Sequence, residues 1–296
     1  MWCEAARAPC RRSTVSPSLA SIAGAKRLRV EVRPASVKLV PKAAFGSRRL
    51  LSARAIALEV TAGSGEDGAE PWRAVVDVLA EALREPRGRL GRVEMVLSDH
   101  FVRHLLIPWS NDLVGDGERL AFAQLSFREL YGHVSDTWDF ALDEQPAGEA
   151  SFACAVDRAL VSSLREVVTR AGGQLAALTP ALADCINRHR KALKAPEFCF
   201  AMAEAGRISL AFRSLAGWEA VRSRRIDGPL AETLPTLLKQ ETVVGTAREG
   251  GVLYLCADAS ADAAAFPVPG WRVVALGVSG FARSPPTDRQ LVAAGG

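Results

Sequence analysis

The sequence predicts an α/β protein of two lobes, each a mixed sheet flanked by helices. Three observations lead there. Period-two apolar runs such as "LRVEVRPASVKLV" alternate with helical stripes such as Trp72, Val75, Val76, Leu79 and Leu83. Each half opens with consecutive strands able to form a meander and then alternates helices with strands. Charge and Pro196 in "KALKAPE" interrupt the apolar pattern near residues 194–197, where a hinge is expected.

In chain order, "LRVEVRPASVKLV" and "ARAIALEV" read as strands, and "TAGSGEDGAEP" as a linker whose Pro71 favours a helix start. The helix of the Trp72 stripe follows. "VEMVLSDHFVRHLLIPW" reads as a hairpin turning at Asp99-His100 and stopped by Pro108. A second helix should bury Leu120, Ala123, Phe127, Leu130 and Tyr131. "DTWDFALDE" and "ASFACAVD" form a hairpin around "QPAGE", and a helix buries Leu160, Leu164, Val167 and Val168 before Gly172-Gly173 ends it. "QLAALTPAL" is a strand running into a helix with Leu182, Cys185, Ile186, His189 and Leu193. Beyond the hinge come strands "EFCFAMAE", "GRISLAFRS" and "GWEAVRSRRID", a helix near Pro229, then strands "GVLYLCAD" and "WRVVALG". The expected division is a basic disordered leader (1–26), a first lobe (27–195) with an inserted subdomain at about 110–147, a second lobe (196–283) and a mobile tail (284–296). Whether residues 1–26 are translated stays open.

Composition bounds the function. With 296 residues, 49% hydrophobic and 24% charged, the chain has the balance of a globular protein with a substantial core. The net charge of +4 is small, and much of the excess lies in the first fifth of the chain. That segment reads as a solvated basic leader or as a contact for an anionic partner. Only Trp2 and Phe45 accompany its charges, which argues against nucleic acid. No stretch approaches the roughly 18 apolar residues of a spanning helix, and residues 1–26 lack the apolar segment of a secretory signal. A cytoplasmic protein is expected.

The six cysteines form no CxxC pair, and Cys154, Cys199 and Cys256 fall in apolar strand-like runs, where a thiol acts as a small hydrophobe. No metal site is expected. "SDH" (98–100) holds the residue types of a hydrolase triad, but neighbours in one turn cannot converge as a triad must. His133 and His189 read as helix-surface or core residues, and Trp109, after Pro108, as core packing or a partner anchor.

The stretch "EVRPASVKL" (31–39) resembles the opening strand-loop-strand, D-I-G-S-S-S-V-K-L, of the PilM group of type IV pilus assembly proteins. Glu31 falls on the acidic residue, Arg33 on the glycine, Pro34-Ala35-Ser36 on the serines, and Val37, Lys38 and Leu39 match directly. "VLSDHFVRHLLIPWS … ERLAFAQLSFRELYG … TWDFALD" is similar to the cytoplasmic domain of the type II secretion protein GspL, and "AGGQLAALTPALADCINRHR" (171–190) to PilM-type chains. Together the segments lie within residues 31–190, and it is their order that carries the resemblance.

The resemblance implies an actin-like, ribonuclease-H-like (ASKHA) fold. In that superfamily backbone N–H groups of tight, Gly-containing turns cradle phosphate. Here Arg33 replaces the glycine and Pro34 supplies no N–H. In the second lobe the usual Asp-x-Gly becomes Glu204-Ala205-Gly206, and "REGG" (248–251) is the one candidate for an adenosine pocket. Arg33, Ser36, Lys38, Glu204 and Gly206 are therefore read as vestigial phosphate-loop positions, without catalytic residues or a bound cofactor. The implied role is a non-enzymatic scaffold at the cytoplasmic face of a bacterial inner membrane. Its partner would be an inner-membrane protein of PilN, GspM or GspL type, with an assembly ATPase as a further partner. The alternatives are a PilM-like protein that binds ATP and Mg, or a sugar-kinase-like transferase.

Overall fold

The computed structural model describes residues 26–42, 54–57, 72–84, 90–113, 115–143, 145–244, 250–257 and 266–277. Residues 1–25 of the expected leader and the whole expected tail lie outside them, as do the linker (61–71) and residues 58–60 of the expected strand before it.

Thirteen strands and five α-helices make up the described residues. The first sheet contains β1 (Lys26–Arg33), β2 (Ser36–Lys42), β3 (Arg54–Ala57), β4 (Leu90–Leu97) and β8 (Gln174–Pro180), in the order β3-β2-β1-β4-β8. β1, β2 and β3 form an antiparallel meander, whereas β4 and β8 add in parallel. The second sheet contains β9 (Phe198–Glu204), β10 (Arg207–Ser214), β11 (Gly217–Arg225), β12 (Gly251–Cys256) and β13 (Trp271–Leu276), in the order β11-β10-β9-β12-β13. It too is an antiparallel meander extended by two parallel strands. The two lobes thus repeat one topology although their sequences do not resemble each other closely.

Burial follows the pleat. Along β9, Cys199 and Ala201 face a core completed by Leu234 and Leu238 of α5 (Leu230–Val243). Phe198, Phe200 and Met202 face the opposite core, with Leu182, Cys185 and Ile186 of α4 (Ala181–His189). Both faces of this strand are covered, which is why it reads as a continuous apolar run. In the first lobe Val30, Val32, Val93, Met95 and Leu97 pack against α1 (Arg73–Arg84) and α3 (Arg158–Arg170). On the other face of β1, Arg29 reaches Asp184 of α4 through two hydrogen bonds of 2.8 and 2.7 Å. α4 therefore sits between the two sheets and is the joint of the molecule.

One expected pairing is corrected. The segment 93–109 turns at Asp99-His100 but does not form a hairpin, because β4 lies between β1 and β8, while β5 (Val102–Ile107) pairs with β7 (Ser151–Asp157) in a separate sheet ordered β5-β7-β6. The physical reason is the two-sided apolar character of β4: Val93, Met95 and Leu97 join one core and Val96 another, which demands a central position. β6 (Trp138–Leu142) completes the small sheet, which spans Val102–Asp157 and so includes strands on both sides of residues 110–147.

α2 (Asp116–Tyr131) lies over this small sheet, burying Ala123 and Phe127. Phe127 is ringed by Tyr131, Trp138 and Phe140 at centroid distances of 6.1, 6.3 and 5.3 Å. Leu130, expected inside, is 61% exposed, because the sheet covers only the strip around Ala123 and Phe127. The second sheet and the small sheet meet at an aromatic cluster in which Trp218 of β11 packs edge-on to Phe152 of β7 and to Phe198 of β9, at 4.8 and 5.9 Å.

Candidate functional site between the lobes

The two lobe-opening hairpins provide the turns where phosphate would be held. In the first, Arg33 pairs with Ser36, so Pro34 and Ala35 alone form the loop. No described residue other than glycine has positive φ, so this turn has no left-handed corner. Pro34 contributes no donor, and too few N–H groups remain to surround an anion. In the second, Glu204 pairs with Arg207 across Ala205 and Gly206, and Gly206 supplies the left-handed corner at φ 73.

The second turn docks on the first lobe. β4 ends at Leu97, and Ser98 N donates to Val32 O of β1 at 2.9 Å, fixing the Ser98-Asp99 turn at the sheet's edge. Glu204 Oε2 accepts from Ser98 Oγ at 3.0 Å and from Asp99 N at 2.9 Å. His100 Nε2 lies 2.9 Å from Ala205 O, so Nε2 carries the proton and donates. Glu204 is only 7% exposed, and burial, reinforced by the Asp99 charge, pushes its carboxyl up to about 7. The donors Ser98 and Asp99 N and the positive charge of Arg33 act in the opposite direction.

Asp99 is fully buried. Its Oδ2 accepts from Ser209 Oγ of β10 at 2.7 Å and its Oδ1 from Leu182 N of α4 at 3.3 Å. His104 Nε2 of β5 stands 3.2 Å from Oδ1, off the hydrogen-bonding line, so this attraction is chiefly electrostatic. Burial alone would raise the Asp99 carboxyl; His104 and the donors outweigh it and hold the group below its ordinary value. Aspartate, histidine and serine do meet here, but the serine donates to the aspartate and not to the histidine. No nucleophile–base pair is formed, and Ser209 is 1% exposed. The set is a polar tie joining β4, β5, β10 and α4.

The remaining sequence-predicted positions lie close by. Ser36 begins β2 half-buried, and Lys38 faces Glu31 across the β1–β2 ladder. Burial lowers the Lys38 ammonium, with Glu31 partly offsetting it. Of "REGG", Arg248 and Glu249 lie outside the described residues; Gly250, at φ 97, sits where a Cβ would strike the Gly270 carbonyl oxygen, and Gly251 N donates to that oxygen at 3.1 Å. Trp109 is half-buried, its Nε1 donating to Asn111 Oδ1 at 3.1 Å and Arg119 standing 4.7 Å over its ring. Cys199 is fully buried, and burial holds the Cys154 thiol up at about 12, as expected of inert thiols.

Sequence reasoning missed Asp99, Ser209 and His104 as a connected set, and the separate pairing of Asp184 with Arg29 and Arg188. Their signal was present: each is a polar residue inside an apolar run, such as Asp184 in "ALADCI".

No protein-family model and no curated protein matches the chain. Solved structures do. The PilM–PilN type IV pilus biogenesis complex contains a chain 17% identical, covering 84% of this chain and 88% of that one at a TM-score of 0.54. A Bacteroides thetaiotaomicron protein with an actin-like ATPase fold is 10% identical, covering 79% and 83% at a TM-score of 0.53. The fold is actin-like. The cytoplasmic domain of EpsL, an inner-membrane component of the Vibrio cholerae type II secretion system, has the same architecture at 12% identity, covering 84% and 86% at a TM-score of 0.50. Among the described residues of this actin-like chain, no helix is long and apolar enough to cross a membrane.

Proposed function

We propose that this actin-like chain is a non-catalytic scaffold of a bacterial type IV pilus or type II secretion-like assembly. It sits at the cytoplasmic face of the inner membrane and binds a short segment of an inner-membrane protein of PilN or GspM type. An assembly ATPase is a second partner of the same machine. The similarity in fold to the PilM chain of the PilM–PilN complex and to EpsL supports the setting.

The observation that carries the reading is a groove of about 410 Å³ between two sheet edges. β8 ends the first sheet and β6 ends the small one, so each presents a ladder edge unpaired among the described strands. Ala176 and Ala177 of β8 and Phe140 and Ala141 of β6 line the space, with Arg165 of α3 beside it. An extended peptide fits such a place by adding a strand, its backbone satisfying the edge and its side chains entering the apolar floor. The interlobe region supports the loss of nucleotide chemistry, since Pro34 removes a donor and Glu204 Oε2 already accepts from Ser98 and Asp99.

A fluorescent peptide from the cytoplasmic segment of the co-encoded PilN- or GspM-type protein tests the reading by anisotropy. Saturable binding lost in Ala176→Arg is the expected result, and binding indifferent to that substitution overturns the groove. Mg-ATP should leave the melting temperature unchanged; a large rise would favour the ATP-binding alternative.

A further inference from the structure

We propose that Cys185, His189 and Cys256 form a zinc site that ties α4 to the second lobe. Cys185 and His189 lie four residues apart on α4, the spacing that puts two side chains on one helical face. Cys256 is the last residue of β12 and enters the same space from the second sheet. The two sulfurs and a ring nitrogen all lie within 4.8 Å of one another. Two thiols and an imidazole are a borderline-soft donor set that suits zinc(II).

The surroundings fit an ion better than three unrelated side chains. Cys185 and Cys256 are 0% and 2% exposed, while His189 is half-buried, so the cluster runs from the core to the surface and has an entry path. The sulfurs stand 2.7 Å apart, closer than unbonded sulfur atoms pack. Zinc–sulfur bonds of about 2.3 Å at a tetrahedral angle would open that contact to roughly 3.8 Å, within reach of side-chain rotation. Binding releases both thiol protons to solvent, leaving two thiolates and a neutral imidazole on the metal. Water completes the fourth position, facing the half-exposed side of His189. The consequence is mechanical, because the ion links the joint helix, already held to β1 through Asp184, to the end of a second-lobe strand. It fixes the setting of the two lobes.

Reduced, metal-stripped full-length protein is titrated with cobalt(II) chloride as a spectroscopic probe and then with zinc(II) chloride. One equivalent per chain should give a thiolate-to-cobalt charge-transfer band that zinc displaces, and zinc alone should raise the melting temperature. Cys256→Ser should abolish the band. His189→Ala, at a half-buried position that leaves the core intact, should weaken zinc binding by more than the roughly tenfold that even an outer-shell partner costs. Absence of the band in reduced wild type, or wild-type affinity in His189→Ala, overturns the site. So does a Cys185–Cys256 disulfide that, once reduced, takes up no metal.

Discussion

Replacing Glu204 by Gln isolates the cost of holding an ionised carboxylate where the lobes meet. The glutamine keeps an oxygen able to accept from Ser98 Oγ and Asp99 N but cannot ionise. Glu204 titrates at about 7 against an ordinary 4.5, so the folded protein binds its proton more tightly than the unfolded chain does. Stability from this group is therefore fully present below about pH 4.5 and is lost as pH rises through about 7. At roughly 1.4 kcal/mol per pKa unit, the loss is on the order of 3 kcal/mol. Asp99, held below its ordinary value, runs the other way: its contribution is lost on acidification. That loss falls below the pH range of the measurement, because Asp99 is held under its ordinary 3.8. Urea denaturation of wild type and Glu204→Gln from about pH 5 to about pH 8 measures it. The variant should gain on wild type as pH rises and level off above neutrality. A difference that stays flat across that range would refute the assignment of the raised pKa to Glu204.

Phe127→Ala empties the aromatic ring formed with Tyr131, Trp138 and Phe140, and should cost about 3–5 kcal/mol. The loss should appear first as a collapse of the near-ultraviolet circular dichroism from Trp138, since Phe127 belongs to the core of the small sheet. Gly250→Ala combines a φ of 97 with a clash against the Gly270 carbonyl, and should lower stability by roughly 1–3 kcal/mol in thermal melts. A neutral Gly250→Ala would mean that the paired starts of β12 and β13 do not need the close approach of Gly250 to Gly270.

Much of this architecture is written in local pattern. Short apolar runs place β9, β10 and β12, the Trp72 stripe places α1, and Pro34 and Gly206 mark the two short hairpin loops. Those features depend on neighbours along the chain, so a linear reading recovers them. The resemblance of "EVRPASVKL" to an actin-like opening also rests on residues within one hairpin. Which strands pair is not local. "VEMVLSDHFVRHLLIPW" has the appearance of a hairpin, yet β4 and β5 part at Asp99, because β4 can bury its two faces only between β1 and β8.

The buried polar groups depend still more on the assembled fold. Asp99 gathers partners from residues 104, 182 and 209, and Glu204 meets Ser98 and Asp99 from the opposite lobe. Cys256 comes beside Cys185 and His189 only when the second sheet closes on α4. Sequence alone determined most of the α/β elements and the missing donor at Pro34. Tertiary structure decided which carboxylates face each other, what satisfies them and where the sheet edges remain open. Hydrogen bonding and charge burial act through a few ångströms of space, whatever the distance along the chain.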